Sequence, residues 1–390
     1  MNKIHLGDCL DVLKTLRKGT ADLIYLDPPF FSQKVHVLAT RSGKKYYNFS
    51  DQWTDMSQYI QSVKQRLLEC RNVLSPTGSI FVHCDKSASH YLKMAMDEIF
   101  GTENFQSEII WTYRRWSNAK KGLQNHHQTI LFYSKSAEFK FKRIFESYSN
   151  TTNVDQIVQM RSRDARNKSV YKKDAEGIVE LSQSKAGVPM GDVWDIPFLN
   201  PKARERVGYP TQKPILLLER IIKLVTDEGD LVLDPYCGSG SMLVAAKILN
   251  RRYIGIDKNK EAVQLAKKRL ITPVKSESRV LTEGRASYDR SDAKVKNVVR
   301  DLKATLVQRN SGIDGLISMQ NQIVPFKVVF EELLLMASAL QLEKSTRKNQ
   351  FRNRAIFFNS RKTAGVRKIE KDHGVIVFRN LEELNKKMIK

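Results

Sequence analysis

Short apolar runs alternate with amphipathic stretches over residues 1 to about 140, and the alternation returns from about 210 to 270. Continuous apolar runs such as 21–26 and 79–84 predict buried strands, and stretches with helical spacing such as 56–74 predict helices. A regular alternation of strands and helices is typical of α/β proteins with a largely parallel sheet. We therefore predict an α/β fold with a doubly wound sheet.

Further elements follow the same two patterns. The predicted helices lie at 9–16, 90–100, 214–226, around 245–246 and at 260–270, and the predicted strands lie at 108–113, 129–133, 231–233, 253–256, 323–330, 355–358 and 375–378. Residues 32–55 are rich in Lys, Tyr and Ser and are expected to form a loop.

Two stretches interrupt the alternation and divide the chain. From about 139 to 202 charges cluster and apolar periodicity is weak, which indicates a small inserted module. Residues 273–292 are polar and are expected to form a linker. The predicted division is therefore a main domain made of 1–138 and 203–272, the inserted module, and a small C-terminal α+β domain at 293–390.

The charge of the chain indicates the class of its partner. Its 390 residues include 66 Lys and Arg against 42 Asp and Glu, which gives a formal net charge of +24. Such an excess predicts a polyanionic partner, either nucleic acid or an acidic membrane. No apolar run approaches the ~18 residues needed to cross a bilayer, and the first residues lead into a polar helix rather than a signal peptide. Nucleic acid is therefore the expected partner, and no membrane is expected.

The cysteines bear on the compartment. Cys9, Cys70, Cys84 and Cys237 are scattered without the CxxC spacing of structural zinc sites. The pattern also disfavours a disulfide framework and fits a reducing environment. A cytoplasmic location without a metal site is expected.

The loop Asp27-Pro28-Pro29-Phe30 follows the apolar run 21–26 and carries groups suited to one kind of chemistry. An exocyclic amino group of a nucleobase is a poor nucleophile, because its lone pair is delocalised into the ring. A carboxylate and a proline carbonyl that accept its two N–H groups would favour a tetrahedral nitrogen, and Phe30 would stack on the base. The competing interpretation is a proline turn in which Asp27 is a local cap.

A second loop, 234–240, follows the apolar run 231–233 and has the sequence Asp-Pro-Tyr-Cys-Gly-Ser-Gly. Its glycines allow the backbone to approach a ligand closely, and the next strand ends at Asp257, where a carboxylate can take ribose hydroxyls. The glycine spacing is not GxGxxG, so a dinucleotide is disfavoured. Because ligands bind at the carboxyl ends of parallel strands, both loops should open onto one cleft. The competing interpretation of this loop is an ordinary glycine turn with a surface aspartate.

These segments resemble the site-specific DNA amino-methyltransferases, which use S-adenosylmethionine, and the resemblance runs from Gly7 to about Leu270. The resemblance implies a Rossmann-like methyltransferase sheet. It also implies that Asp27, Pro28, Pro29 and Phe30 are catalytic. It assigns cofactor binding to Asp8, Cys9, Gln212, Lys213, Pro214, Asp234, Pro235, Tyr236, Cys237, Gly238, Ser239, Gly240, Ser241, Asp257 and Lys258. The catalytic motif precedes the cofactor motif, which is the order of the family's β group, so the module at 139–202 should recognise the target. Ser241-Met242 departs from the family's usual pair of threonines.

The resemblance implies methylation of adenine N6 in a specific double-stranded DNA sequence, because the motif begins with Asp and ends with Phe. Cytosine N4 remains an alternative target, since the first residue of the motif is not an absolute code. Cytosine C5 chemistry needs a cysteine nucleophile, usually presented as Pro-Cys, and no proline here precedes a cysteine. A catalytically silent DNA-binding protein is a further alternative.

Basic residues with neighbouring aromatics are candidates for DNA contact. The candidates are Arg114, Arg115, Trp116, Lys120, Lys121, Arg161, Arg163, Arg166 and Lys168. A solvated basic face is the competing interpretation for any one of them.

The C-terminal region faintly resembles the restriction-nuclease fold, in which an Asp and a following acid-x-Lys bind a metal. Asp314 and Lys327 fit two of these positions, but Pro325 stands in place of the acid. A basic accessory or dimer-forming domain is therefore favoured, and a bifunctional methyltransferase–endonuclease is the alternative. A homodimer and a cognate restriction endonuclease are the further partners expected.

Overall fold

The structure is a computed structural model that describes most of the chain in two compact units, Met1–Glu277 and Ser278–Lys390. The described residues are 2–39, 46–113, 121–146, 159–180, 187–200, 202–209, 211–277, 292–307, 310–320, 322–347, 351, 353–358 and 365–389.

The first unit alternates strands and helices. Its elements are β1 (Lys3–Leu6), α1 (Cys9–Thr15), β2 (Ala21–Leu26), β3 (Lys34–Ala39), β4 (Tyr46–Asp51), α2 (Met56–Val73), β5 (Leu74–Cys84), α3 (Ser89–Phe100), β6 (Phe105–Thr112), β7 (His127–Ser134), β8 (Phe145–Glu146), β9 (Arg161–Arg163), β10 (Ser169–Tyr171), β11 (Val188–Pro189), β12 (Val193–Asp195), α4 (Ile215–Val225), β13 (Leu231–Asp234), α5 (Ser241–Ile248), β14 (Arg252–Asp257) and α6 (Lys260–Ile271).

An eight-stranded sheet in the order β1-β14-β13-β2-β5-β7-β6-β12 forms the centre of this unit. Neighbouring strands are parallel except at β7, which runs antiparallel to both β5 and β6. The helices form two packed groups, α1 with α2 and α3, and α4 with α5 and α6. The predicted α/β fold class is confirmed. The order places β2 beside β13, so the two loops that follow these strands emerge next to each other.

Local sequence explains why the helices begin where they do. The side chains of Asp8, Asp55 and Asn259 each accept a backbone N–H in the first turn of α1, α2 and α6, respectively. The strand β2 is almost wholly buried, as its continuous apolar run predicts. Capped helices packed on buried strands hold the strand ends in fixed positions.

Two predicted boundaries were wrong. The expected loop at 32–55 contains the antiparallel hairpin β3–β4, in which Lys34 pairs with Asp51. The strand predicted at 79–84 begins earlier, at Leu74, because Leu74 already pairs with Ala21 ahead of a register shift. In both cases pairing with another strand decided the conformation of a polar stretch.

The segment predicted as an inserted module contains short strands. Strands β9 and β10 form an antiparallel hairpin, and β8 pairs with β11. Strand β12 pairs in parallel with β6, and it therefore extends the main sheet although it lies inside the 139–202 window. The proposed domain bounds remain predictions.

The second unit is a five-stranded sheet flanked by helices. Its elements are α7 (Ala293–Asp301), β15 (Thr305–Leu306), β16 (Gly315–Met319), β17 (Gln322–Val329), α8 (Leu335–Thr346), β18 (Ala355–Phe358), α9 (Val366–His373), β19 (Ile376–Phe378) and α10 (Leu381–Met388). The strands follow the order β15-β16-β17-β18-β19, with β17, β18 and β19 parallel and the other pairs antiparallel. In the described ranges of both units, no helix is long and apolar enough to cross a membrane.

Candidate active site

One cavity of about 760 Å³ lies where β2 and β13 end. From the two predicted loops it is lined by Asp27, Pro28, Pro29, Phe30, Asp234, Pro235, Tyr236, Cys237, Gly238 and Ser239, and Ser241 at the start of α5 also lines it. The other predicted residues in the lining are Asp8, Cys9, Gln212, Lys213, Asp257 and Lys258, whereas Pro214 and Gly240 do not line it. The structure therefore brings the predicted catalytic motif and the predicted cofactor motif into one cleft.

The two carboxylate oxygens of Asp27 lie in different environments. Oδ2 accepts a hydrogen bond of 2.5 Å from Lys213 Nζ, whose side chain is buried. Oδ1 is buried and has no hydrogen-bond partner in the described part of the chain, and the nearby His83 Nδ1 is 3.8 Å away. Burial raises the pKa of Asp27, and the ion pair with Lys213 opposes that rise. One oxygen is thus held in place by Lys213, while the other is buried without a donor in the described part of the chain.

His83 lies beside this carboxylate and was not predicted as a site residue. Its Nε2 is 3.0 Å from Gln128 Oε1, which can only accept, so Nε2 carries the proton. Its Nδ1 then accepts the O–H of Tyr25 at 2.7 Å. Burial, together with the positive charge of Lys213, lowers the pKa of His83 well below its ordinary value. The imidazole is therefore neutral and does not neutralise Asp27.

Phe30 presents an aromatic ring to the cavity. The ring is half-buried, its centroid is 5.6 Å from that of His83, and Lys213 Nζ is 5.1 Å from it. A planar ligand seated here would meet one aromatic face and one free carboxylate oxygen. This pair of groups matches what a flipped base with an amino group requires.

The glycine loop is held by carboxylates at the ends of β13 and β14. Asp257 accepts the backbone N–H of Gly238 at 2.9 Å and that of Asn259 at 2.8 Å, and Asp234 accepts that of Tyr236 at 3.0 Å. Burial raises the pKa of both Asp257 and Asp234, and these hydrogen bonds oppose that rise. The loop is therefore fixed before any ligand arrives.

Gly238 is a position where only glycine fits. Its φ is +49°, and a Cβ built there would lie 2.9 Å from the Tyr209 ring. The absence of a side chain lets the Tyr209 ring pack directly against the loop, and both residues line the cavity. The loop and the Tyr209 ring thus form one wall of the cavity.

Arg269 supports the same loop from α6 and was missed by sequence analysis. Its Nη1 donates to the Ser239 carbonyl at 2.8 Å and to the hydroxyls of Ser239 at 3.0 Å and Ser241 at 2.9 Å. Burial lowers the pKa of Arg269 to about 10, which the nearby Glu205 partly opposes, so the guanidinium stays charged at neutral pH. A charged residue on the buried face of an amphipathic helix was the signal that could have revealed it.

Arg66 closes the side of the cavity near α1 and was also missed. Its Nη2 donates to Asp8 at 3.0 and 3.1 Å, and its Nε donates to Cys9 Sγ at 3.2 Å. Burial raises the pKa of the Cys9 thiol, and the positive charge of Arg66 opposes this. Asp8 is therefore occupied as a helix cap and as an ion-pair partner.

Gln212 holds the segment before α4. Its amide donates to the Glu205 carbonyl at 2.7 Å and accepts the Val207 N–H at 3.0 Å. This bridge places Lys213 against Asp27, so a residue predicted for cofactor binding contacts the predicted catalytic carboxylate.

The predicted DNA-binding residues lie away from the cavity or outside the described residues. Arg161, Arg163, Arg166 and Lys168 are exposed on the hairpin β9–β10 and its turn, and the Arg161 guanidinium is 4.9 Å from the Tyr171 ring centroid. Lys121 is exposed. Arg114, Arg115, Trp116 and Lys120 lie outside the described residues.

The second unit places Asp314 beside Lys327. The Asp314 Oδ1 is 3.8 Å from Lys327 Nζ, and its Oδ2 accepts the Val328 N–H at 2.7 Å. Pro325 lies on the same strand, where an acid would be needed for a nuclease. Among the residues that the structure describes, no group of three or more His, Cys, Asp or Glu could hold a metal ion.

Comparison with known proteins identifies the family. The family model for DNA methylases of the N6/N4 type matches residues 21–268. The Type II methyltransferase M.HpaI of Haemophilus parainfluenzae is 28% identical over 307 residues, which cover 79% of this chain and 82% of that protein. The DNA adenine methyltransferase YhdJ of Escherichia coli (strain K12) is 29% identical over 269 residues, which cover 68% of this chain and 81% of that protein. The solved structure of the M1.HpyAVI–SAM complex is 21% identical and covers 69% of this chain and 99% of that chain, with a TM-score of 0.43. The family match spans more than half of the chain and confirms the predicted resemblance: the protein belongs to the N6/N4 DNA methylases.

Proposed function

We propose that this protein transfers a methyl group from S-adenosylmethionine to the N6 amino group of adenine within a specific double-stranded DNA sequence. The observation that carries the proposal is the buried Asp27 Oδ1, which has no partner in the described part of the chain and lies in the same cavity as the Phe30 ring. An acceptor of this kind calls for an N–H donor, and an amino group on a planar base supplies one.

The loop residues divide the work of orienting the base. The ring of Phe30 stacks on the base, Asp27 Oδ1 accepts one amino N–H, and the Pro28 carbonyl accepts the other. These bonds hold the nitrogen lone pair toward the cofactor side of the cavity. As the new N–C bond forms and the S–C bond breaks, the nitrogen releases one proton, for which Asp27 Oδ1 is an acceptor.

The residues of the glycine loop fit S-adenosylmethionine. The Tyr209 ring packs against Gly238 in the wall of the cavity, and the Asp257 carboxylate would accept hydrogen bonds from the ribose hydroxyls. Ser239 and Ser241 on the loop, and Asp8 and Arg66 at the other wall, offer polar groups around it. When bound, the cofactor supplies an activated methyl group on a sulfonium.

Two observations support adenine as the target base. The motif begins with Asp and ends with Phe, and the relative YhdJ is named a DNA adenine methyltransferase. Cytosine N4 carries the same kind of amino group, so the geometry of Asp27 and Phe30 serves both bases. Digesting methylated DNA to nucleosides and measuring their masses separates the two products.

The hairpin β9–β10 is proposed to contact DNA as part of the predicted recognition module at 139–202. Its exposed arginines can reach phosphates or guanine edges, and a two-stranded ribbon fits the major groove. Long-read sequencing of DNA from cells that express the chain would give the modified base and its sequence context together.

Asp27→Ala tests the proposal directly. The variant should still bind S-adenosylmethionine, because the cofactor loop is held by other carboxylates, and it should lose methyl transfer. The measurements are calorimetric cofactor binding and transfer of a labelled methyl group to DNA. Undiminished transfer would refute the assignment of Asp27.

The biological setting is also a proposal. M.HpaI is named a Type II methyltransferase, which favours a role in restriction–modification with a cognate endonuclease. A cytoplasmic location and a homodimer are proposed on the scattered cysteines and the basic C-terminal region.

A further inference from the structure

We infer that Asp51 is a positioning residue that sets the conformation of the catalytic loop, an inference that rests on the proposed function of Asp27 and Phe30. Asp51 ends β4, lies 24 positions after Asp27 in the sequence and is buried. Its side chain accepts hydrogen bonds from backbone N–H groups of the loop that begins at Asp27. These contacts are the basis for the inferred role.

Within the described residues, Asp51 accepts four hydrogen bonds, all from N–H donors of two neighbouring segments. Oδ2 accepts the backbone N–H groups of Phe30 at 3.1 Å and Ser32 at 2.7 Å. Oδ1 accepts the backbone N–H of Phe31 at 3.0 Å and the indole N–H of Trp53 at 3.1 Å. Three consecutive amides of the loop thus converge on one carboxylate, which fixes the path of the backbone through the motif.

The loop needs such a restraint because its backbone is strained. Phe31 has a φ of +61° and Gln33 a φ of +57°, a region that side chains other than glycine rarely occupy. Conformations of this kind persist only where the surrounding structure imposes them, and they concentrate at functional sites. Asp51 binds the amide of Phe31 and those on either side of it. The Gln33 side chain is tied to Trp53 by two backbone hydrogen bonds of 2.9 Å.

The strain has a structural result, because it separates two consecutive aromatic rings. The Phe31 ring packs on Tyr59 of α2 with centroids 5.7 Å apart, and Trp53 packs on the same ring at 5.2 Å. The Phe30 ring instead lines the cavity. Without the left-handed turn at Phe31, the chain could not anchor one ring in the core and present the other to a base. Asp51 therefore acts on the reaction through Phe30 and Asp27.

Asp51→Asn is a sharp test because it keeps the size of the side chain. A carboxamide has one acceptor oxygen, so it can satisfy only two of the four donors, and its NH₂ group faces the other two. A displacement of about 1 Å at the loop can cost on the order of 10²-fold in rate. We expect the single-turnover rate constant of methyl transfer to fall by about 10²-fold while the cofactor Kd stays unchanged.

Single-turnover kinetics separate positioning from folding. The amplitude reports the fraction of folded enzyme, and the rate constant reports the geometry of that fraction. A lower amplitude with the wild-type rate constant would overturn the inference, since it would show that Asp51 serves stability alone. Trp53→Phe removes one of the four donors and should lower the rate constant by less, which keeps the inference testable should Asp51→Asn fail to fold. A wild-type rate constant in Trp53→Phe together with an unfolded Asp51→Asn would also overturn it.

Asp55→Asn is the matched control. Asp55 lies four positions from Asp51 and caps α2 by accepting the Gln58 N–H at 2.8 Å, a role that asparagine fills equally well. Its rate constant should equal that of the wild type. Asp27→Ala, measured in the same series, distinguishes the two claims. Activity in Asp27→Ala would refute the proposed function, whereas a dead Asp27→Ala beside a fully active Asp51→Asn would refute only the role of Asp51.

Discussion

Replacing Gly240 with alanine should destabilise the cofactor half of the first unit through one defined contact. Gly240 has a φ of +77°, and a Cβ built there would lie 2.7 Å from the Ala266 Cβ and 3.2 Å from its Cα. Ala266 is buried on α6, so neither side of the contact can move aside easily. The substitution therefore adds an overlap to an unfavourable backbone conformation.

The two penalties can be separated by a control at Gly229. Gly229 has a φ of +83°, and a Cβ there would meet nothing within 4 Å. Alanine at either position carries the left-handed backbone penalty of roughly 1–2 kcal/mol. Only Gly240→Ala adds overpacking, which typically costs ~1–3 kcal/mol. We expect Gly240→Ala to lose about 1–3 kcal/mol more than Gly229→Ala in the free energy of unfolding.

Urea unfolding followed by tryptophan fluorescence is a suitable assay, because all four tryptophans lie before residue 278 and report on the first unit. Equal m-values would show that the shift in midpoint is a change in stability. Gly240→Ala/Ala266→Gly removes the closest overlapping atom. The helix glycine alone costs about 1 kcal/mol, so the double variant should be more stable than the sum of the single effects predicts. Strict additivity, or equal losses at Gly240 and Gly229, would refute the steric reasoning.

Two other predictions concern the site itself. Because burial raises the pKa of Asp27, the single-turnover rate constant should decrease at acid pH with a midpoint above the ordinary pKa of an aspartate. Lys213→Met removes the positive charge that opposes the raised pKa, so it should move this midpoint to still higher pH. A pH–rate profile in which the midpoint is unchanged or lower would contradict this prediction. Arg269→Lys keeps the charge but removes Nη1, the atom that binds Ser239 and Ser241, so calorimetry should show cofactor affinity weakened by about tenfold, the equivalent of ~1.4 kcal/mol. Unchanged affinity would show that cofactor binding does not depend on the arginine.

The pairing of the two loops could be predicted because it depends on short-range signals. A buried apolar run predicts a strand, and the carboxyl ends of parallel strands share one edge of the sheet. The register of Val232 with Leu23 and of Leu233 with Ile24 then places Asp27 and Asp234 at neighbouring strand ends. Composition alone could not have supplied this adjacency, but the pattern and the parallel-sheet rule together did.

The contacts that hold these loops could not be predicted, because they come from distant parts of the chain. Lys213 is 186 positions from Asp27, and Arg269 is 30 from Ser239. Asp51 lies in a polar stretch whose strand forms only by pairing in a hairpin, so its pattern indicated a loop. His83 offered a weak local signal, as a polar residue inside the apolar run 79–84.

The state of the polar groups in the cavity favours a donor over an acceptor as the ligand. Asp234 and Asp257 accept backbone N–H groups, and His83 is bonded through both ring nitrogens. Within the described lining, Asp27 Oδ1 is the buried side-chain oxygen left without a partner. An unsatisfied buried acceptor costs roughly 1–3 kcal/mol, and a ligand recovers that energy only by supplying an N–H or O–H. In the proposed function, a base that presented a carbonyl oxygen at this point would add repulsion, so this oxygen would favour bases that present an amino group.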